Sequence, residues 1–213
     1  MLKLKTLYNW GHILKTENFR KEYKLILTSS EIENFLRIFN IKSKTLYESR
    51  VVKSLYMDTK KFDIFNNSQE FDVGRYTLRY RNYSNDSNIN LEVKENTIFG
   101  KYKSSKKTNY KSFDKIKYLN FRGYLTIPTL FVTYKRNYYN FGSARFTVDQ
   151  NLFFENTSNR SLSHRKHCSN FNILEIKLMN ISDYDVENFL IKNPQTFSKF
   201  KYGVSKIYDL DLL

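Results

Sequence analysis

Charged and apolar side chains alternate in several segments of the chain. In the clearest segment, Arg75 to Arg81, three arginines and Thr77 occupy one set of alternate positions and Tyr76, Leu78 and Tyr80 occupy the other. Side chains of a strand point to opposite faces with a period of two, so this segment predicts a strand with one basic and one apolar face. Six predicted strands share the pattern. Their charged faces carry, in chain order, Arg20, Glu22 and Lys24, then Arg75, Arg79 and Arg81, then Glu92 and Lys94, then Arg136, then Arg145 and Asp149, and finally Glu175 and Lys177.

Helical periodicity is confined to a few stretches. Ser30 and Glu33 have the spacing of a capping box and precede apolar residues at helical spacing, which predicts a helix over Glu31–Phe39. A second helix is predicted to begin after Ser182 and to end before Pro194. Both helices have an apolar face, which is expected to pack against another part of the protein.

About eight strands follow one another along the chain, joined by turns or single helices, without a strand–helix–strand rhythm. The sequence therefore predicts an α+β, mostly β protein, built on an eight-stranded antiparallel β-barrel with flanking helices. Residues 1–18 are expected to form an N-terminal arm and residues 19–213 one domain. Two polar segments, Lys60–Val73 and Glu155–Asn170, are expected to be irregular.

The charged strand faces are expected to point into the barrel, because helices that pack outside the sheet require an apolar outer face. Small barrels are normally filled with apolar side chains. A barrel lined with charge must hold water or a charged ligand. Arginines and lysines with a few carboxylates would suit a chain of phosphates together with a divalent metal.

Composition supports a folded, strongly basic protein. The chain of 213 residues is 40% hydrophobic and carries a net charge of +15. Such a charge attracts nucleic acid, polyphosphate or an anionic membrane. The single cysteine, Cys168, permits no internal disulfide, and no apolar run approaches the roughly 20 residues that span a bilayer. A cytoplasmic protein without a transmembrane segment is expected.

Short motifs in a fixed order give the chain a family resemblance. It resembles the VTC-type polyphosphate polymerase domain of the triphosphate tunnel metalloenzyme superfamily over roughly residues 19–203. The stretches that carry the resemblance are Arg20 to Lys24, Ser54 to Thr59, Arg75 to Arg81, Leu91 to Lys94, Tyr134 to Arg136, Arg145 to Asp149, Leu174 to Lys177 and Phe197 to Phe200.

The resemblance implies an eight-stranded antiparallel tunnel in which ATP donates its terminal phosphoryl group to polyphosphate. It implies that the phosphates are held by Lys24, Arg79, Arg81, Lys94, Arg136 and Lys199, with hydrogen bonds from Tyr134 and Ser198. The remaining lining cations, expected to contact the substrate, are Arg20, Arg75, Arg145 and Lys177. Glu175 would hold a divalent metal, Mn²⁺ or Mg²⁺, with Glu22 in support. Family members often have a basic residue where Thr77 stands, so one lining cation is expected to be missing.

Several of these residues also have structural interpretations. Glu22 and Glu92 could form internal salt bridges, and Asp149 at a strand end could be structural. Glu175 could simply pair with a neighbouring cation, and Tyr134 could serve in packing. Ser198 and Lys199 could be a helix cap and a solvated lysine. A polar loop at His164, His167 and Cys168 is favoured over a metal site, because their spacing matches no complete zinc set.

Other functions compete with the polymerase. A triphosphatase on the same fold is disfavoured because Arg20 replaces the first glutamate of the Glu-x-Glu-x-Lys motif of the hydrolytic enzymes. A non-catalytic polyphosphate-binding domain remains open. A nucleic-acid partner is not expected, because the aromatic residues alternate to the face opposite the arginines. A membrane-associated partner is left undetermined.

Overall fold

The computed structural model of the protein describes residues 22–38, 45–70, 73–141, 144–157, 163–178 and 192–212. Three expectations lie outside this part of the chain, namely the N-terminal arm, the position of Arg20 and the helix after Ser182.

An antiparallel sheet dominates the described residues. Its strands are β1 (Glu22–Leu27), β2 (Thr45–Asp58), β3 (Tyr76–Tyr83), β4 (Asn90–Thr97), β5 (Gly100–Lys107), β6 (Leu119–Phe121), β7 (Tyr124–Phe141), β8 (Ala144–Asn156), β9 (Lys166–Cys168) and β10 (Asn172–Leu178). Eight strands form a continuous path in the order β1-β10-β8-β7-β2-β3-β4-β5, while β6 pairs with β7 and β9 with β8. The sheet curls strongly into a half-barrel, which confirms the predicted mostly β, antiparallel architecture.

The outer face of the sheet is apolar where helix α1 (Ser29–Ile38) covers it. Phe35 of α1 packs into a buried cluster with Leu25, Phe146 and Ile176 from three neighbouring strands. The helix lies where the sequence predicts it. Its capping residues differ, because Thr28 Oγ1 accepts a hydrogen bond from Glu31 N and the backbone N–H of Thr28 donates to the Glu31 carboxylate.

Helix α2 (Asp63–Glu70) replaces the irregular segment expected at residues 60–73, so that expectation was wrong. The buried carboxylate of Asp58, at the end of β2, accepts hydrogen bonds from Ile64 N at 2.9 Å and Phe65 N at 3.0 Å. These bonds satisfy N–H groups that lack a partner within the first turn of a helix. Burial of Ile64 and Phe65, each 1% exposed, then anchors the helix.

Helix α3 (Lys199–Tyr208) packs against the concave face of the sheet. The Phe200 ring stacks on Tyr56 with centroids 5.2 Å apart. Gly203 allows close approach, since a Cβ atom there would lie 2.5 Å from Phe154 and 2.6 Å from Leu130. The helix therefore fills one end of the half-barrel. Among the described residues, none of the helices has the length and apolarity needed to cross a membrane.

The long strands β7 and β8 each continue through an irregularity in their pairing. Pro128 lies inside β7, at a register shift opposite Tyr56 and Met57. Proline is tolerated at such bulges, where no ladder hydrogen bond is required. Asn151 has a positive φ of 53° where the pairing of β7 with β8 shifts. The expectation of an irregular loop at Glu155–Asn170 is wrong in part, because this segment contains the end of β8 and all of β9.

Candidate functional site

The concave face carries a buried cluster centred on Glu92, which we call the Glu92 cluster. Glu92 Oε2 accepts hydrogen bonds from Arg79 Nε at 2.8 Å and Arg79 Nη2 at 2.6 Å. The same oxygen lies 3.4 Å from Arg81 Nη1, and Oε1 lies 2.9 Å from Lys103 Nζ. Burial by itself raises the pKa of Glu92, but Arg79, Arg81 and Lys103 outweigh it and hold the pKa well below its usual value. Glu92 is therefore ionised and shared among three cations.

Strand β2 holds the two arginines from the other side. Arg79 Nη1 donates to Tyr56 Oη at 3.0 Å, and Arg81 Nε donates to Ser54 Oγ at 3.0 Å. Arg81 Nη2 also donates to Tyr134 Oη on β7 at 3.2 Å. Both guanidinium groups are thus fixed by contacts on two or more strands.

A second cluster surrounds Asp149 on β8, and we call it the Asp149 cluster. Asp149 is fully buried and accepts from Arg136 Nε at 2.5 Å and Arg136 Nη2 at 2.7 Å. Lys199 Nζ, from the first turn of α3, lies 2.6 Å from Asp149 Oδ2, the oxygen that also accepts from Arg136 Nη2. Burial raises the pKa of Asp149, whereas Lys199 and Arg136 lower it by more, so the carboxylate stays charged.

Glu175 on β10 extends the Asp149 cluster toward the edge of the sheet. Its carboxylate lies 3.6 Å from Arg136 Nη2 and 2.8 Å from Lys177 Nζ. Burial favours the protonated form, but Arg136, Lys177 and Lys94 together place the pKa of Glu175 well below its usual value. This residue is consequently an anion that already has cationic neighbours.

Lys24 and Lys94 approach these clusters from the opposite walls. Lys24 Nζ donates to the carbonyl of Phe197 at 2.9 Å and lies 3.6 Å from Glu22. Lys94 is exposed within the concavity, yet the surrounding protein removes part of the water around its ammonium group. This desolvation lowers the pKa of Lys94 to about 7, and the positive charge of Arg79 adds to the effect. Glu175 and Glu22 act in the opposite direction on this lysine.

The structure brings together most of the predicted site residues and separates a few. Arg75 lies before β3, and the Asn96 amide, with its oxygen turned toward it, accepts from Arg75 Nε at 2.8 Å. Arg145 is exposed at the beginning of β8. Ser198 caps α3 by accepting from Lys201 N at 3.3 Å, as one interpretation of the sequence expected.

The structure decides one alternative for Lys199 and adds Lys103 to the site. Lys199 is not solvated, since only 11% of its side chain is exposed. Lys103 belongs to the Glu92 cluster but was not singled out, because β5 is basic on both faces. Its place follows from the register, which pairs Lys103 with Lys94.

The histidines and the cysteine of residues 164–168 take no part in this face. A ring nitrogen of His167 lies 2.9 Å from Tyr202 Oη, and Cys168 is exposed. In the described ranges, no group of three or more His, Cys, Asp or Glu side chains is arranged to hold a metal ion.

Positive charge exceeds negative charge on the concave face. The carboxylates there are Glu22, Glu92, Asp149 and Glu175, and the cations are Lys24, Arg79, Arg81, Lys94, Lys103, Arg136, Lys177 and Lys199. Excess arginine and lysine in a confined space is suited to bind a polyanion through charge-assisted hydrogen bonds.

Solved structures with the same fold share little sequence with this chain. A presumed adenylate cyclase from Bacillus halodurans aligns with a TM-score of 0.55 at 11% identity, covering 86% of this chain and 97% of its own. The protein PH1819 from Pyrococcus horikoshii aligns with a TM-score of 0.52 at 13% identity, covering 87% of this chain and 99% of its own. The presumed adenylyl cyclase HpAC1 from Hippeastrum aligns with a TM-score of 0.52 at 15% identity, covering 88% of this chain and 96% of its own. HpAC1 is described as having a dominant triphosphatase activity.

Sequence comparison identifies the family. No functionally curated protein matches the chain. The VTC domain family matches it over residues 19–121 and 96–208, which together span nearly the whole sequence. The chain belongs to the VTC domain family.

Proposed function

We propose that this protein is a polyphosphate polymerase, which transfers the terminal phosphoryl group of ATP to a growing polyphosphate chain on the concave face. The observation that carries the proposal is the pairing of two buried cation clusters, around Glu92 and Asp149, on one concave surface. Membership of the VTC domain family and the shared tunnel fold support a triphosphate as substrate.

Phosphate binding would fall to the arginines of both clusters. Each guanidinium group has five N–H donors in a planar fork that matches phosphate oxygens. Arg79 and Arg81 are already oriented by Glu92, Tyr56 and Ser54, so little ordering would accompany binding. Lys24, Lys94, Arg136 and Lys199 would hold further phosphates, and Tyr134 would contribute its hydroxyl group. Ser198, Arg20, Arg75, Arg145 and Lys177 would contact the outer parts of the substrate.

The reaction requires positioning more than covalent chemistry. An oxygen of the terminal phosphate of the chain would attack the γ-phosphorus of ATP, and the bond from that phosphorus to the β–γ bridging oxygen would break. ADP leaves and the chain is longer by one phosphate. Fixed cations around the transferred group would stabilise the charge that its oxygens carry in the transition state.

Glu175 and Glu22 are the residues that would hold a divalent metal. They lie on the adjacent strands β10 and β1, where Glu22 is the register partner of Lys177. Magnesium is usually held by one or two carboxylates, with phosphate and water oxygens completing its coordination, so this pair fits a metal that arrives with the nucleotide. When bound, Mg²⁺ or Mn²⁺ would neutralise charge on the phosphate oxygens.

Hydrolysis of a triphosphate is the second function that the comparisons favour, because HpAC1 is described as having that activity. The two reactions differ only in whether phosphate or water attacks the γ-phosphorus. A domain that binds polyphosphate without catalysis would retain the same cation clusters.

A single assay separates these functions. The protein is incubated with ATP and Mn²⁺ or Mg²⁺, and the products are resolved into long polyphosphate, ADP and free phosphate. Long polymer from the wild type and none from Glu175→Gln, with phosphate-chain binding retained in the variant, is the expected result. Free phosphate alone would indicate a triphosphatase, and the absence of both products would contradict an enzymatic role.

A further inference from the structure

Arg50, on the concave side of β2, has no role in the clusters described above. Its guanidinium carbon lies 5.5 Å from the centre of the Tyr47 ring and 5.8 Å from the centre of the Tyr138 ring. The two rings meet edge to face, with centroids 5.7 Å apart. The aromatic pair thus holds the guanidinium in place by cation–π contacts.

Regular alternation with Ser54 and Tyr56 places Arg50 on this face, and a bulge in β2 adds Tyr47 to it. The register pairs Arg50 with Arg136 and Tyr47 with Tyr138, so three steps along β2 correspond to two steps along β7. The extra residue brings Tyr47 to the side that already carries Arg50, Arg136 and Tyr138. Bulges beside active sites commonly reorient a side chain in this way.

Among the described residues, no carboxylate forms an ion pair with Arg50, whereas Arg79, Arg81 and Arg136 each have one. The Nε atom of Arg50 is buried, and within the described part of the chain no hydrogen-bond partner contacts that atom. Directly opposite stands another arginine, Arg136, and like charges at paired positions destabilise a sheet. A buried, unsatisfied donor beside a like charge indicates that an external anion completes the site.

The two arginines extend in opposite directions along the sheet. Arg136 turns toward the Tyr134 ring, 5.3 Å away, and toward Asp149 and Lys199 at the α3 end. Arg50 turns toward Tyr47 and Tyr138, which lie farther from α3. Arg50 is therefore the next cation beyond Arg136 on a path that leads away from the end of the half-barrel that α3 fills.

Further polar groups continue this path. The hydroxyl group of Thr147, the register partner of Tyr138, is the other buried side-chain atom without a hydrogen-bond partner in the described residues. Beyond it, Arg145 is exposed and pairs in register with Lys177. A flexible polyanion that extends past Arg136 would meet these groups one after another.

We infer that Arg50, positioned by Tyr47 and Tyr138, forms a distal phosphate-binding subsite that engages a long phosphate chain but not a triphosphate held at Arg79 and Arg81. The inference rests on the proposed function, because it assigns the direction in which the chain leaves the reacting centre. Ser54, which contacts Arg81, is four residues from Arg50, or about 13 Å along an extended strand. Because the Arg136 side chain turns back toward α3 and the Arg50 side chain turns away from it, a triphosphate seated at Arg79, Arg81 and Arg136 would not extend to Arg50.

Binding of two probes tests this assignment. Inorganic tripolyphosphate and a long-chain polyphosphate are titrated into the wild type, Arg50→Met and Arg50→Lys, with Lys135→Ala as the control. Lys135 is exposed on the opposite face of β7, next to Arg136. Arg50→Met is expected to weaken long-chain binding about tenfold, as for the loss of one charge contact, and tripolyphosphate binding less than about threefold. Arg50→Lys should be intermediate, and Lys135→Ala should match the wild type.

Thermal unfolding without ligand distinguishes binding from a structural role. Removing an unpaired cation beside Arg136 should leave the melting temperature of Arg50→Met unchanged or raise it. A clear decrease would mean that Arg50 serves the fold, and equal losses for both probes, or none, would also overturn the inference. If the wild type binds neither probe, the proposed function itself fails. If the wild type binds both and Arg50→Met does so equally well, only the distal subsite is refuted.

Discussion

Individual carboxylates organise the cationic face. Glu92 and Asp149 are 3% and 0% exposed, and each binds cations from different elements. A buried ion pair contributes little net stability because desolvation opposes it, but removal of one partner leaves an uncompensated charge. These two residues therefore hold in place arginines that would otherwise repel one another before a ligand arrives.

Replacing Glu92 by glutamine should destabilise the ligand-free protein by about 3 kcal/mol, since Arg79 and Arg81 lose their shared anion. Tripolyphosphate should raise the melting temperature of Glu92→Gln by more than it raises that of the wild type, because the ligand replaces the missing charge. Denaturant unfolding and thermal scans measure both effects. Glu33→Gln, on the exposed surface of α1, is the control. An unchanged stability would show that Glu92 does not organise the cluster.

Lys94 should make phosphate binding depend on pH. Its pKa in the folded protein is about 7, lowered first by burial and then by Arg79. A bound phosphate favours the charged lysine, so binding takes up a proton above about pH 7, and affinity should fall by up to about tenfold per pH unit. Calorimetry in buffers of different ionisation heats measures this uptake. Lys94→Gln should abolish the proton uptake, and the control Lys106→Gln, on β5, should not. Uptake that persists in Lys94→Gln would assign the proton to another group.

Strand parity was sufficient to predict much of the site. Arg79, Arg81, Glu92, Arg136 and Glu175 lie on one face, as the alternation in the sequence indicated. Arg50 has the same parity as Ser54 and Tyr56 on β2, so alternation also places it on this face. The sequence could not show that Tyr47 joins them, because a bulge changes which side chains share a face and leaves no mark in the alternation.

At the scale of elements, α3 links the core to the site. Phe200 and Gly203 pack on the concave face, while Lys199 in the first turn reaches Asp149. For α3 the sequence offered only the alternative interpretation of Ser198 as a helix cap. Helix α2 was missed, because its cap, Asp58, lies several residues before the helix rather than at its beginning. By contrast, the apolar spacing at Ile32, Phe35 and Leu36 predicted α1 correctly.

Gly203→Ala should displace α3. The added methyl group would meet the buried side chains of Phe154 and Leu130 at 2.5 and 2.6 Å, and overpacking of this kind costs about 1–3 kcal/mol. The gain in helix propensity is only about 1 kcal/mol, so the net change should be destabilising. Melting temperature and ATP turnover should both fall, with Lys206→Ala as the control on the exposed side of the helix. A melting temperature above that of the wild type would show that the helix packs more loosely.

At the scale of the whole molecule, the concave face carries only part of the net charge of +15, because its carboxylates Glu22, Glu92, Asp149 and Glu175 offset many of its cations. The arginines of the two clusters are largely buried, and the aromatic rings beside them, Tyr56 and Tyr134, are 3% and 2% exposed. Rings so deeply covered cannot serve as a stacking surface for bases. Shape therefore favours a thin, flexible polyanion over a duplex.

Polyphosphate should raise the melting temperature far more than duplex DNA at the same phosphate concentration. A ligand bound only by the folded state stabilises that state, and only the narrow chain reaches the buried arginines. Differential scanning fluorimetry at several salt concentrations gives the comparison. Duplex DNA should act only through the outer lysines and lose its effect as salt increases. Equal stabilisation by both polymers would favour a nucleic-acid partner.

The central claim is that the concave face of the half-barrel holds a phosphate chain. A crystal structure of the complex with tripolyphosphate and Mn²⁺ tests it most directly, because the anomalous signal of manganese locates the metal. We predict phosphate oxygens within hydrogen-bonding distance of Arg79, Arg81 and Arg136, and manganese beside Glu175. Tripolyphosphate bound on the outer surface, with these three arginines still contacting only Glu92, Asp149 and their other protein partners, would contradict the account.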